Sequence, residues 1–254
     1  MFRYFIQLAY SGTRFHGWQI QPNALTVQEE VNKAATVLTG ETVNVVGAGR
    51  TDTGVHASFF VAHFDLETQL DEPEKLGFKM NAFLAPDIRI DQLFEVDLEM
   101  HARFSALSRT YHYYISRRKE LFRHEFTAYF PHQLDVNKMN EAANVLMDYS
   151  DFTSFSKLHT DVKTNNCKVS EAFFTITDEG VLVFKIVADR FLRNMVRAVV
   201  GTLLEVGKGK LTIEGFRKVI EEKNRSIAGA SVMAKGLFLS NICYPDSINS
   251  KFLR

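Results

Sequence analysis

Cysteine is nearly absent from this chain. The two present, Cys167 and Cys243, stand far apart with no CxxC neighbour, which excludes a zinc knuckle and a disulfide framework and leaves both as small buried hydrophobes. No apolar stretch approaches the roughly 20 residues that span a bilayer. The opening MFRYFIQLAY lacks a small-residue cleavage site and runs straight into strand-like sequence, so a soluble cytoplasmic protein without membrane contact is expected. His16, His56, His63, His101 and His112 show no HExxH or comparable ligand spacing, and each is read as a hydrogen-bonding or core histidine, with no metal site. The nucleotide-binding signatures are missing as well: the GxGxxxxG spacing from Gly47 to Gly54 is not the dinucleotide fingerprint, and no GK[ST] follows it.

Net charge is also absent, since 30 basic residues balance 30 acidic ones. The balance hides a segregation. From His101 to His124, Arg103, Arg109, Arg117, Arg118, Lys119 and Arg123 face only Glu120, whereas from Asp65 to Glu99 ten acids face Lys75, Lys79 and Arg89. A local basic stretch of this kind suits phosphate contacts. The apolar share of 46% is enough for a sizeable core, in one large domain or two closely packed ones.

What the chain does possess is a glycine-framed turn, GAGRTDTGVHA from Gly47 to Ala57, with Asp52 at its centre. Apolar runs enter it at Val43–Val46 and leave it at Ser58–Phe64, so the turn reads as a loop between two buried strands. Arg50, two residues before Asp52, can share a pocket with it, and a neighbouring guanidinium favours the charged form of a carboxylate. Spacing alone leaves three readings open: a plain capped bend, an anion cradle, or a reactive carboxylate.

Apolar periodicity predicts a strand at 3–10, a helix from Thr26 to Leu38 opened by a Thr26/Glu29 capping box, strands at 43–47 and 58–66, a helix at 73–84 and a strand at 88–98. A second pass predicts a strand from Arg109, a helix at 136–147, strands at 169–177 and 181–188, a helix at 190–206, an added helix at 211–223 and a last strand at 236–244. Each pass approximates β-α-β-β-α-β. The expected fold class is α+β, with two ferredoxin-like (RRM-like) halves, 1–105 and 106–254, related by a pseudo-two-fold axis. Together they would form a continuous, mostly antiparallel sheet with helices on one face and a central active-site cleft.

Two further features accompany the turn. Arg190, Arg193 and Arg197 recur at helical spacing beside the apolar stripe of the 190–206 helix, where a guanidinium is a natural counter-ion for a buried carboxylate. In the strand RTYHYYISR, one of the faces bearing Tyr111 or His112 could present an aromatic ring on which an extruded base stacks.

Taken together, these elements resemble the tRNA pseudouridine synthase A family. The resemblance covers nearly the whole chain: YSGTRFHGWQIQP with TVQ at Thr26–Gln28, GRTDTGVHA, AHFD, NAFLAPDIRI, HARFSALSRTYHYYI, DFTSF, RFLRNMVRAVVGTLLEVGKG and AKGLFLSNICY. It implies that Asp52 is the catalytic aspartate, that Tyr111 stacks on the target uracil, that Arg197 (with Arg193 as the alternative) is the basic partner of Asp52, and that Arg50 contacts RNA. Arg103, Arg109 and Arg193 are candidate RNA contacts. It further implies a homodimer that isomerises uridines at positions 38–40 of the tRNA anticodon stem-loop without metal or organic cofactor. The family usually has Ala after GRTD and an YDGT motif, where this chain has Thr53 and Tyr10-Ser11-Gly12-Thr13. Asp52 could attack C1′ or C6 or take the 2′ proton to leave a glycal. Two other readings use the same residues: a non-catalytic RNA-binding module, and an N-glycosidase, although glycosidases of sugars usually pair two carboxylates.

Overall fold

The computed structural model describes residues 1–157 and 164–253. In chain order its elements are β1 (Phe2–Tyr10), α1 (Val27–Thr39), β2 (Val46–Gly47), β3 (His56–Leu66), α2 (Pro73–Phe83), β4 (Ile88–Val96), β5 (Ser108–Ser116), β6 (Ala128–Tyr129), α3 (Val136–Asn144), β7 (Val169–Ile176), β8 (Leu182–Ala188), α4 (Met195–Gly207), α5 (Ile213–Glu221), β9 (Leu237–Cys243) and α6 (Asp246–Asn249). The fold is mixed α/β, with nine strands, mostly antiparallel, and six α-helices among the described residues. The chain divides into two compact units, Met1–Leu107 with Leu239–Arg254, and Ser108–Phe238. None of the described helices is long and apolar enough to cross a membrane.

In the first unit β1 lies between β3 and β4, antiparallel to both, with Ile6 opposite Ala62 on one side and Leu93 on the other. Tyr4, Phe5, Ile6 and Leu8 are all fully buried, so β1 is covered on both faces. Burial of each such side chain contributes about 1.5–3 kcal/mol. The Phe5 face carries the C-terminal segment: Phe5 meets Tyr244 edge-on at 5.6 Å, and Phe252 packs on Phe59 and Phe94 at 5.5 and 5.4 Å. Gln7, buried in mid-strand, fixes that segment through its amide. Its Nε2 donates to the Leu253 carbonyl at 2.7 Å, and the Leu253 N–H donates to its Oε1 at 3.0 Å.

In the second unit β8 pairs antiparallel with both β5 and β7, and the short β6 runs parallel to β5. Helix α4 is apolar nearly all round and has Ala198, Val199, Val200 and Leu203 among its buried residues. Its Gly201 permits a close backbone approach, because a Cβ there would stand 1.9 Å from the Ala230 carbonyl oxygen.

Three expectations are corrected. The Thr26/Glu29 capping box does not form: Thr26 makes no side-chain cap bond, and its Oγ1 is buried without a partner among the described residues. Two of the first-turn N–H groups are already taken, Val27 N–H by the Gly17 carbonyl at 3.3 Å and Gln28 N–H by the Trp18 carbonyl at 3.0 Å. Thr26→Val should therefore leave stability unchanged or slightly raised, since it removes an unpaired buried hydroxyl, whereas loss of a working cap costs about 1 kcal/mol. Urea titration of the two proteins checks this.

The helix expected at 190–206 begins only at Met195. Asn194 sits at φ 66°, in the left-handed region that a helix interior does not accommodate, and the Asp189 carboxylate holds the preceding turn by accepting from Lys168 and Arg190 N–H groups at 2.7 Å each. Arg190 and Arg193 are consequently off the helix, and the three arginines do not form a row on one helical face. Third, the strand expected at 43–47 is reduced to the pair Val46–Gly47. Val43 and Val45 N–H groups bond instead to side chains of α1, Thr36 Oγ1 and Asn32 Oδ1.

Candidate active site

The Asp52 loop belongs to the first unit and is built from its backbone outward. Strand β2 pairs with β3, and Ala48 N–H continues the pairing to the Val61 carbonyl at 2.8 Å, so the loop starts from a fixed register. Thr51 is buried, and its Oγ1 shares a 2.9 Å hydrogen bond with the Tyr10 hydroxyl. The Thr51 carbonyl accepts from Trp18 N–H at 3.4 Å, and the Asp52 carbonyl accepts from Val55 N–H at 3.1 Å. Gly54, at φ 74°, turns the chain back, with its N–H on the Phe15 carbonyl at 3.2 Å. His56 is fully buried, and its Nδ1 accepts from Gly12 N–H at 3.0 Å, which places the ring proton of the neutral form on Nε2. Asp52 itself is half-buried, and Arg50 is exposed.

Around the loop lies segment 11–20, whose closeness the sequence did not disclose. A Cβ on Gly12 would come within 2.0 Å of the Val55 carbonyl oxygen, and one on Gly17, which has φ 89°, within 2.2 Å of the Thr51 carbonyl oxygen. Trp18 stacks on Phe60 at 4.2 Å and covers Gly47. Gln28 ties this segment to the approach of the loop: its Oε1 accepts from Ile20 N–H at 3.0 Å, and its Nε2 donates to the Val45 carbonyl at 2.7 Å. Tyr10, Gly12, Gly17, Trp18 and Gln28 therefore fix the course of the loop that carries Asp52. Their only sequence signal is membership of the YSGTRFHGWQIQP and TVQ strings.

Also in this unit, His63 is buried on β3 against the edge of His101, with ring centres 4.5 Å apart and Ala102 N–H donating to its Nδ1 at 3.2 Å. Burial, together with the nearby His101 and Arg3, pushes the His63 imidazole down to about 4. The unfolded chain takes up this proton near pH 6.5, so the stability due to neutral His63 is complete above that value and declines as pH falls toward about 4. The loss is at most about 3 kcal/mol, less with solvent screening. Urea midpoints between pH 7 and 4.5 should fall for the natural protein and fall less steeply for His63→Gln. Arg103 is exposed, with its guanidinium 5.6 Å from the Phe104 ring centre.

In the second unit Tyr111 is half-buried on β5, its ring meeting Phe191 edge-on at 5.1 Å. Two residues on, Tyr113 is buried and donates its hydroxyl to the Met233 carbonyl at 2.8 Å, and burial pushes its phenol well above the usual range. The adjacent Val232 carbonyl accepts from Arg197 Nε at 2.7 Å, while Val232 N–H donates to the Arg197 carbonyl at 3.1 Å. Residues 232–233 thus link Arg197 on α4 to the strand that bears Tyr111. Ser231 fastens the same segment by accepting from Asn194 Nδ2 at 2.7 Å and Arg225 Nη2 at 2.8 Å. Arg109 donates to the Asp189 carbonyl at 2.7 Å, and Arg193 is exposed. Cys167 is buried and Cys243 half-buried. Among the described residues no three His, Cys, Asp or Glu side chains converge to hold a metal ion.

The order and spacing of these strings have counterparts in known proteins. Residues 7–105 and 142–245 match the family described as tRNA pseudouridine synthase. The chain is 55% identical over 249 residues to the tRNA pseudouridine synthase A of Parabacteroides distasonis, covering 98% of each chain. It belongs to the tRNA pseudouridine synthase A family. The Bacteroides fragilis relative of the same name is 54% identical over 246 residues, covering 97% of this chain and 98% of the relative. That of Clostridium acetobutylicum is 39% identical over 241 residues, covering 94% and 98%. Asp52 and Arg197 fall inside the two spans matched to the family, and Tyr111 falls between them.

Proposed function

We propose that the chain isomerises uridine to pseudouridine at positions 38–40 of the tRNA anticodon stem-loop, with Asp52 as the catalytic carboxylate, Tyr111 stacking on the target uracil and Arg197 as the basic partner of Asp52. The family membership supports the reaction. The observation that carries the assignment of Asp52 is the loop around it: a half-buried carboxylate whose neighbours Thr51 and Val55 are held by Tyr10, Trp18, Gly12 and Gly17. A catalytic group has to be held in place before substrate arrives, and the supports named here fix the residues that flank Asp52. Arg197 is likewise preorganised, since the bond from its Nε to Val232 fixes the guanidinium plane.

In this reaction the N1–C1′ bond breaks, the uracil turns, a C5–C1′ bond forms, the C5 proton leaves and N1 gains a proton. Atoms and electrons balance within the substrate, so neither an external reductant nor a cofactor is called for. Asp52 acts on the sugar or the base, and exclusion of water protects the cleaved intermediate. Arg50 contacts the RNA beside the target, and Arg103, Arg109 and Arg193 contact its backbone. We further infer two ferredoxin-like halves, the first supported by the β4-β1-β3 order with the short β2 paired to β3 in one unit, and the second by the β5-β8-β7 order in the other. A cytoplasmic homodimer completes the proposal.

The test uses tRNA labelled with tritium at uridine C5. Stoichiometric release of label to water with no free uracil is expected. Free uracil would make the protein an N-glycosidase, and tRNA binding without release would make it a binding module.

A further inference from the structure

Between β5 and β6 the chain makes an excursion, residues 117–127, that the proposed chemistry does not use. Its ends are closed. Ile115 lies opposite Ala128 and Ser116 opposite Tyr129, and Phe130 N–H donates to the Ser116 carbonyl at 2.8 Å. Its interior is fastened on Glu120, whose Oε1 accepts from the Ser116 hydroxyl at 2.9 Å. Arg123 joins Glu120 at 3.5 Å to Glu179 at 2.5 Å, and Phe126 N–H donates to the Arg123 carbonyl at 3.0 Å.

This ordered loop turns cations and aromatic surface outward. Arg117, Arg118, Lys119, Arg123 and His124 are all exposed, and Arg117 and Lys119 make no ion pair among the described residues. Phe122 is 96% exposed and Leu121 76%. A cavity of about 290 Å³ opens at the loop, lined among others by Arg118, Lys119, His124, Tyr129 and Lys235. Glu120 is the acid in its wall and is already matched by the Ser116 hydroxyl, Arg118 and Arg123, which hold its carboxyl below the usual carboxylate range. Lys119 and Lys235 add two further positive charges to a wall otherwise formed by hydroxyl, aromatic and apolar groups. A single exposed hydrophobic residue is ordinary on a protein surface. An almost fully exposed Phe on a closed loop, within a run of cations and next in sequence to Leu121 in the cavity wall, has the two parts of a single-stranded RNA site: a ring for a base and positive charge for its phosphate.

We propose that this loop is a second RNA subsite, which binds an unpaired nucleotide of the tRNA other than the uridine being isomerised, its base on Phe122 and its phosphate on Arg118 and Lys119. The proposal rests on tRNA being the substrate. It gives the basic run a role in holding the tRNA, separate from the chemistry.

The test compares the natural full-length protein with Phe122→Ala and with the double variant Arg118→Ala/Lys119→Ala. Full-length tRNA is used, and equilibrium binding is measured apart from turnover. The expected result is a rise in Kd and KM of about 5- to 20-fold for Phe122→Ala. For the double variant the dependence of log binding on log salt should become shallower by about 1–2. Rates at saturating tRNA and melting curves should stay those of the natural protein. Unchanged Kd and salt dependence would overturn the subsite, and so would variants that lose binding to anionic lipid vesicles while keeping full tRNA affinity. If the natural protein binds tRNA but releases no C5 label, the catalytic reading fails, while the Kd comparison still decides the subsite.

Discussion

Asp52→Asn is expected to lower pseudouridine formation by at least about 10³-fold while leaving tRNA affinity within about twofold. The substitution keeps the size of the side chain and removes its charge. The loop is fixed through Thr51, Gly54, Val55 and their partners, none of which depends on the Asp52 carboxylate for the bonds described, so the fold should tolerate it. Single-turnover kinetics with saturating enzyme separate the chemical step from binding. A variant that retained more than about a tenth of the natural rate would remove Asp52 from the mechanism. Asp52→Ala should behave alike, because the reaction needs the charge and not merely a polar group.

Gly17→Ala is expected to lower the rate by about 10²-fold or more, although Gly17 has no reactive group. Two costs coincide at this residue. Its φ of 89° strains any residue with a Cβ, and the added methyl would stand 2.2 Å from the Thr51 carbonyl oxygen. That carbonyl immediately precedes Asp52, so relief of the clash by roughly an ångström carries the carboxylate with it, a displacement of the size that costs about 10²-fold. Gly40→Ala is the matched control. Gly40 has φ 75° at the end of α1 with nothing within 4 Å of the position of an added Cβ. It should lose about 1 kcal/mol of stability from backbone strain and keep its rate. Equal loss of rate in both variants would mean that strain, rather than contact with the loop, is responsible.

Periodicity made most of the elements legible. β1, α1, β3, α2, β4, β5, β7, β8, α5 and β9 all lie where alternation or helical spacing puts them, within the residue or two by which helix and strand ends ordinarily vary. Pattern fails where a tertiary partner replaces a local one. Thr26 and Glu29 have the spacing of a capping box, yet no cap bond forms, and the carbonyls of Gly17 and Trp18 take two N–H groups of the first turn. Arg190, Leu192, Arg193 and Met195 continue a helical pattern, but Asn194 takes the left-handed conformation, which Asn tolerates better than most residues, and α4 starts one residue later. The two-residue β6 and the four-residue α6 are too short to show a period at all.

The residues around Asp52 divide in the same way. The turn itself announces a loop through its glycines. That Gly12 and Gly17 close on the far side of it depends on a contact between segments some forty residues apart in sequence, and no local pattern records that. The Gln7 amide that holds the C-terminal segment is equally hidden, since a polar residue in mid-strand normally reads as the solvent face.

The most direct test is residue-resolved mapping of pseudouridine in unmodified tRNA incubated with the natural protein and with Asp52→Asn. Pseudouridine is expected within positions 38–40 with the natural protein, and none above background with the variant. Undiminished modification by Asp52→Asn, or abasic sites in place of pseudouridine, would contradict it.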